Sequence, residues 1–199
     1  MEKSIKRLKK RGVFFTGQLK MDKILIVNQN DEEIGFEDKM RVHREGLLHR
    51  AFSVVIKNRR EEILIQQRAY SKYHSGGLWS NTCCTHQREG ETPMESPHRC
   101  LMNELGFDCP ITEISTFRYN APMSNGLIEN EFDHLYLGRF DGIPRINPAE
   151  VGGIKWRPYE VLREDMNAEP GSYTYWFREI VRKFGNAIYA SGLSQRAAT

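Results

Sequence analysis

Apolar positions in this chain fall in short runs separated by polar turns, a rhythm that favours strands over long helices. Ile24 to Asn28 reads as a strand, Asn28 to Asp31 as a turn, and Glu33 to Phe36 as the returning arm of a hairpin. A polar stretch, EDKMRVHREGLLHR, follows. Arg50 to Lys57 is β-branched and apolar, and Asn58-Arg59-Arg60 turns it into the ILIQQ run of Glu62 to Gln67. Beyond the Gly76-Gly77 turn comes an extended segment, SNTCCTH. A helix is predicted to begin between 93 and 97, from a capping box at Thr92-Pro93-Met94-Glu95 or from Ser96-Pro97, and to stop at Gly106. Ile114 to Ala121 alternates, with Phe117, Tyr119 and Ala121 on one face, and Ser124-Asn125-Gly126 turns it into a long run from Leu127 to Phe140. Val151 to Trp156 is an expected edge strand, Pro158 to Asp165 a short helix, and Tyr173 to Lys183 an amphipathic helix with Trp176 and Phe177 on its aromatic side.

Composition narrows the class. With 199 residues, 39% apolar and 28% charged, the chain fits one globular domain with its own core. Its apolar runs are far shorter than a bilayer requires, so a soluble, cytoplasmic protein with no membrane partner is expected. Cysteines 83, 84, 100 and 109 include an adjacent pair that cannot easily bond to each other, which favours free thiols or a metal site over a disulfide framework. A zinc site built on the four fails, because no C-x₂₋₄-C pair exists. The net charge of +3 conceals an uneven distribution: residues 1–20 carry seven Lys/Arg against Glu2, a local +6 that leaves −3 for the rest. That start reads as a disordered or vector-derived extension, or as sequence upstream of a start at Met21; the alternative is attraction to nucleic acid, as a binding module, or to a membrane surface, and no interleaved aromatic residues support an RNA platform. The domain proper is placed at 21–185, with 186–199 as a tail.

The candidate chemistry lies on strands and their connections. Cys84 and His86 are two apart, as are Glu129 and Glu131, so within each pair the side chains leave one face of a strand. Three histidines (43, 49, 86) and three glutamates (104, 129, 131) form a donor set suited to Mn²⁺, Mg²⁺, Zn²⁺ or Fe²⁺. Cys84 reads as a nucleophile or acid/base, as a metal ligand, or as a small buried hydrophobe; Cys83, pointing the other way, reads as core. Lys39, Arg68 and Lys72 suit a phosphate or diphosphate, or are solvated surface charge. Trp79, Tyr119 and Trp176 line a pocket or fill the core.

Taken together, GLLHRAFSVVI, ILIQQRAYSK, GGLWSNTCCTH, RCLMNELG, FRYNA and GLIENEFDHLY resemble the type I isopentenyl diphosphate isomerases of the Nudix superfamily, over about residues 24 to 184. Against the Nudix box, Thr85 stands at the first glycine, Glu91 at the first glutamate, Arg99 at the arginine, Asn103 and Glu104 at the closing acidic pair and Gly106 at the last glycine. Cys100 stands where a charged residue is usual in these isomerases. The resemblance implies an α+β fold, a mixed sheet sandwiched between helices. It implies an enzyme that interconverts isopentenyl and dimethylallyl diphosphate, as a monomer or weak homodimer acting on a small prenyl diphosphate. Cys84 and Glu131 would be the catalytic acid/base pair, with Tyr119 hydrogen-bonding near Glu131. His43, His49, His86, Glu129 and Glu131 would hold one divalent metal, Mn²⁺, Zn²⁺ or Mg²⁺. Glu104, with the Cys84 carbonyl, would hold a Mg²⁺ on the diphosphate, which Lys39, Arg68 and Lys72 would grip, and Trp176 would face the hydrocarbon end. The alternative implied by the same superfamily is a diphosphohydrolase of a nucleotide or prenyl diphosphate. It is disfavoured because Glu104 alone survives of the box's closing acidic cluster.

Overall fold

The computed structural model describes residues 22–123 and 125–191; the basic start at 1–20 and most of the expected tail lie outside them. In chain order the elements are β1 (Lys23–Val27), β2 (Glu33–Asp38), α1 (Lys39–Glu45), β3 (His49–Lys57), β4 (Ile63–Arg68), β5 (Trp79–Ser80), β6 (Cys83–His86), α2 (Glu95–Leu105), β7 (Ile111–Pro122), β8 (Ile128–Arg139), β9 (Val151–Arg157) and α3 (Tyr159–Ala168). A single 3₁₀ turn at Pro170–Ser172 then leads into α4 (Tyr175–Ala190).

Nine strands form one curled sheet, and β3 is its hub. It runs parallel to β8 along its length and antiparallel to β6 over residues 51–54, and it touches β1 and β4 at its ends. A strand with neighbours of both directions and helices over both faces has to be apolar on both sides, which is what Arg50 to Lys57 displays. Phe52, Val54 and Ile56 pack with Leu101 and Leu105 of α2, while Val55 packs on the opposite face with Leu162 of α3 and Phe177 and Ile180 of α4. Each such side chain contributes about 1.5–3 kcal/mol on burial. The result is an α+β fold with a mixed sheet between helices, as the resemblance implied.

Three expectations need correction. The polar stretch after Phe36 contains α1, which no apolar periodicity announced. The helix begins because the Asp38 side chain accepts from the Arg41 N–H at 2.9 Å, and it ends because Gly46 adopts φ 63°, where a side chain is strained. The last helix, expected over Tyr173 to Lys183, continues to Ala190. Gly185 lies inside it: any Cβ there would collide with the Tyr159 ring of α3, so the glycine lets the two helices approach. The capping box forms by half, since Glu95 accepts from the Thr92 N–H (2.7 Å) and hydroxyl (2.9 Å), yet the hydroxyl caps no backbone N–H. Elsewhere the alternating run forms as expected, with Phe117, Tyr119 and Ala121 buried along β7.

Candidate active site

Strand register gathers the side chains. His49 of β3 sits opposite Glu131 of β8, which on its other side faces Tyr119 of β7, and Ala51 and Ser53 of β3 oppose His86 and Cys84 of β6. Paired residues share a face, so Cys84, His86, His49, Glu129, Glu131 and Tyr119 project to one side of four adjacent strands. They open into a cavity of about 560 Å³ lined also by Lys39, Arg68, Lys72, Glu104 and Trp176. Every site residue named from the sequence lines it except His43 and His49, which lie behind the wall against Glu129 and Glu131, and Trp79, which packs against the core instead.

Four of the expected metal donors, on His43, His49, His86 and Glu129, lie within 4.8 Å of one another. Glu131 joins them, with Oε1 at 2.9 Å from His86 Nε2 and 3.6 Å from His49 Nε2. His43 and His49 each direct Nδ1 at a backbone carbonyl, of Lys39 (2.6 Å) and Leu47 (2.8 Å), which leaves Nε2 to face inward. His49 Nε2 and Glu129 Oε2 are buried with no hydrogen-bond partner among the described residues, which is costly unless a cation completes them. Burial pulls His86 down to about 3, and its ring stays neutral as a ligand requires. These donors fit a divalent metal.

The thiol is held in a fixed setting. Cys84 Sγ lies 3.0 Å from Asn81 Oδ1, accepts from the indole N–H of Trp176 at 3.1 Å, and approaches Ser53 Oγ at 3.6 Å. Burial and the nearby Asp133 carboxyl push its titration well above the usual thiol range. Glu131 accepts from the Tyr119 hydroxyl at 2.5 Å. Burial and Glu129 work to raise the Glu131 carboxyl, and the His49 and His86 contacts outweigh them, so it sits below its ordinary value. Cys83 is fully buried beside Cys100 in the cluster under α2, on the opposite face of the sheet.

Basic residues converge at the other end of the cavity. Lys39 opens α1, Arg68 closes β4 and Lys72 lies in the loop that follows. Burial, with smaller contributions from Lys72 and Arg68, lowers the Lys39 ammonium against the opposing Asp22 and Glu129 carboxylates. Three basic side chains gathered on one cavity suit an anion. Arg68 lies 5.2 Å over the Trp176 ring, and Lys72 pairs with Glu150 and stands 3.9 Å from Glu104. The Glu104 carboxylate does point back at the sheet, accepting from the Gln66 amide at 2.9 Å; burial raises it, with Lys72 and Gln66 opposing.

Sequence reasoning missed three participants. Asp133, fully buried and accepting from Ser53 Oγ at 2.7 Å, continues the alternation of Glu129 and Glu131 and was visible in it. Ser53 follows the same alternation from His49. His74 is 5% exposed, with Nε2 at 2.6 Å from Glu129 Oε1, and sits on an irregular loop where no spacing marks it.

Comparison with known proteins places this arrangement. The NUDIX domain family model matches residues 47–177. The fold is similar to the DR0079 protein of Deinococcus radiodurans (TM-score 0.62, 20% identity, covering 74% of this chain and 90% of that one). It is also similar to the MutT protein of Methanosarcina mazei (TM-score 0.55, 13% identity, 75% and 95%). This is therefore a Nudix-domain protein with a His/Glu cluster compatible with a divalent cation. The chain is 46% identical over 162 residues to isopentenyl-diphosphate Delta-isomerase 2 of Photorhabdus laumondii, covering 81% of this chain and 92% of that protein. It is 44% identical to isopentenyl-diphosphate Delta-isomerase of Serratia proteamaculans, covering 83% and 93%. Within the Nudix class the chain belongs to the isopentenyl-diphosphate Delta-isomerase family. No helix among the described residues is long and apolar enough to cross a membrane.

Proposed function

We propose that the chain interconverts isopentenyl and dimethylallyl diphosphate, with Cys84 and Glu131 as the two proton-transfer groups. The observation that carries this is their common cavity: a protonated thiol and a hydrogen-bonded carboxylate line one hollow whose far end is cationic. Moving a double bond along a five-carbon chain means adding a proton at one carbon and removing another elsewhere. An unactivated alkene takes that proton only through a state with carbocation character. A thiol that keeps its proton and a carboxylate that lacks one are complementary partners for the two transfers. The Tyr119 hydroxyl holds Glu131 in place and donates to it. Trp176 directs its indole N–H at the thiol, and its ring would shield the site from water that would trap the cation.

A divalent cation among His43, His49, His86, Glu129 and Glu131 would tune the Glu131 carboxyl and fix its orientation. The imidazole-rich donor set suits Mn²⁺ or Zn²⁺ better than Mg²⁺. Glu104 and the Cys84 carbonyl would hold a Mg²⁺ against the diphosphate. Lys39, Arg68 and Lys72 would bind the diphosphate oxygens, with Glu150 yielding Lys72 to the substrate. A hydrolytic reading finds less support, because Glu104 is the one carboxylate that α2 brings to the cavity, and Glu91 is occupied by Arg99.

Incubation with isopentenyl diphosphate, Mg²⁺ and Mn²⁺ in deuterated water should give an allylic product carrying deuterium and no released phosphate. Cys84→Ala and Glu131→Gln should each lower turnover by at least about 10³-fold with the fold intact, while Cys83→Ser keeps most of it. Phosphate release without label, or near-normal rates in both Cys84→Ala and Glu131→Gln, would refute the assignment.

A further inference from the structure

We propose that His74 is a positioning residue that fixes the Glu129 carboxylate so that one of its oxygens is presented to the metal. The inference rests on the divalent-metal reading of the His/Glu cluster. Glu129 divides its two oxygens between different neighbours. Oε2 faces His43 Nε2 at 3.4 Å and His49 Nε2 at 3.7 Å, whereas Oε1 lies 2.6 Å from His74 Nε2. A carboxylate only accepts, so His74 bears on Oε1 by presenting a ring N–H to it, and Nε2 has no better-aligned partner among the described residues. Both side chains are 3% exposed, so water does not substitute for either partner.

His74 stands outside the ligand group itself. The His43, His49 and His86 rings are 4.8–5.2 Å apart centre to centre, and the His74 ring is 6.2 Å from that of His43. Its own orientation is constrained on three sides. The ring meets the Trp176 indole edge-on at 5.9 Å and Tyr73 at 4.4 Å, and Nδ1 lies 3.1 Å from Ser75 Oγ. The carbonyl of His74 accepts from Arg68 Nη2 at 3.2 Å. One loop residue therefore bears on the carboxylate at the metal cluster, the indole beside the thiol and a guanidinium of the anion end. A carboxylate pinned at one oxygen offers the other in a single direction, whereas an unpinned one can turn and lose that geometry. Groups that orient metal ligands in this way contribute about 10–100-fold to metal affinity.

The test is Mn²⁺ binding, followed by electron paramagnetic resonance of free and bound ion during titration of the metal-stripped full chain. Four proteins are compared: wild type, His74→Phe, which keeps a ring but has no N–H, His74→Gln, which keeps a donor of similar reach, and His49→Ala. Circular dichroism confirms the fold of each, and His74→Ala carries the same expectation as His74→Phe should the phenylalanine not be accommodated. We expect His74→Phe to bind Mn²⁺ about 10–100-fold more weakly, His74→Gln to recover most of the loss, and His49→Ala to lose tight binding. Wild-type affinity in His74→Phe, or no recovery in His74→Gln, overturns the role of His74 while His49→Ala still loses the ion. Tight binding in both His74→Phe and His49→Ala would instead bring down the metal reading on which the inference rests.

Discussion

At Cys84 a single residue shows how environment assigns a chemical role. Reactive nucleophilic cysteines lie beside cations that stabilise a thiolate; this one is buried next to the Asp133 carboxyl, and those two effects outweigh the Ser53 and Asn81 contacts that favour the ionised form. Burial and negative surroundings both disfavour the ionised sulfur, so more alkaline conditions are needed to create it. We expect iodoacetamide labelling of Cys84 in the metal-free protein, mapped by mass spectrometry, to climb continuously through pH 9–10. In the unfolded chain the thiol should titrate near its ordinary value, about 8.5. A plateau at Cys84 below pH 9 would mean a stabilised thiolate and a different chemistry. The pairs 84/86 and 129/131 were legible because strand alternation alone puts their members on one face. His74 was not, because its place against Glu129 depends on how a loop folds over the sheet, and the Ser53–Asp133 bond required knowing that β3 lies beside β8.

Elements are joined near the site by the ion pair of Glu91 and Arg99. Glu91 accepts from Arg99 Nε at 2.5 Å and Nη2 at 3.1 Å, and also from the Ser96 hydroxyl at 2.7 Å and the Arg88 N–H at 3.1 Å. Arg99 continues to the His86 carbonyl at 3.1 Å, tying the start of α2 to the end of β6. Burial alone would raise the Glu91 carboxyl, but Arg99 and these other donors outweigh it and hold it below the ordinary range. A lowered carboxylate adds stability that is present above its unfolded value, about 4.3, and is lost as pH falls through the lower folded one. Glu91→Gln should therefore cost about 1.5–3 kcal/mol at pH 7, a fall in Tm of about 3–12 °C, with the gap to wild type narrowing below pH 4 in thermal melts. An equal gap at pH 7 and pH 3 would contradict this. Such ties were partly readable, since Glu91 and Arg99 matched the Nudix box, and the start and stop of α2 were set by local chemistry. The existence of α1 was harder to read because its length of seven residues shows too little periodicity, and only its capping Asp38 and Gly46 betray it.

Across the molecule, the proposed metal donors come from α1, β3, β6 and β8, whereas the two hydrophobic clusters that hold the sheet to its helices involve none of them. The fold should therefore persist without the ion yet gain from it. At a concentration a hundredfold above its Kd, Mn²⁺ should add about 2.7 kcal/mol and raise Tm by about 5–11 °C, and chelation should reverse the gain. Identical melts with and without chelator would refute a site shared by these four elements. The layered arrangement followed from family resemblance. The parallel pairing of β3 and β8 did not, because it joins segments too far apart for any local pattern to record.

That pairing has a consequence during synthesis. Eighty residues separate Ser53 from its partner Asp133, and at about 5–20 residues per second a ribosome needs about 4–16 s to span them. Through that interval the nascent polypeptide carries His43 and His49 without Glu129 and Glu131 to accompany them, so secure capture of a cation would mark translation having passed residue 131.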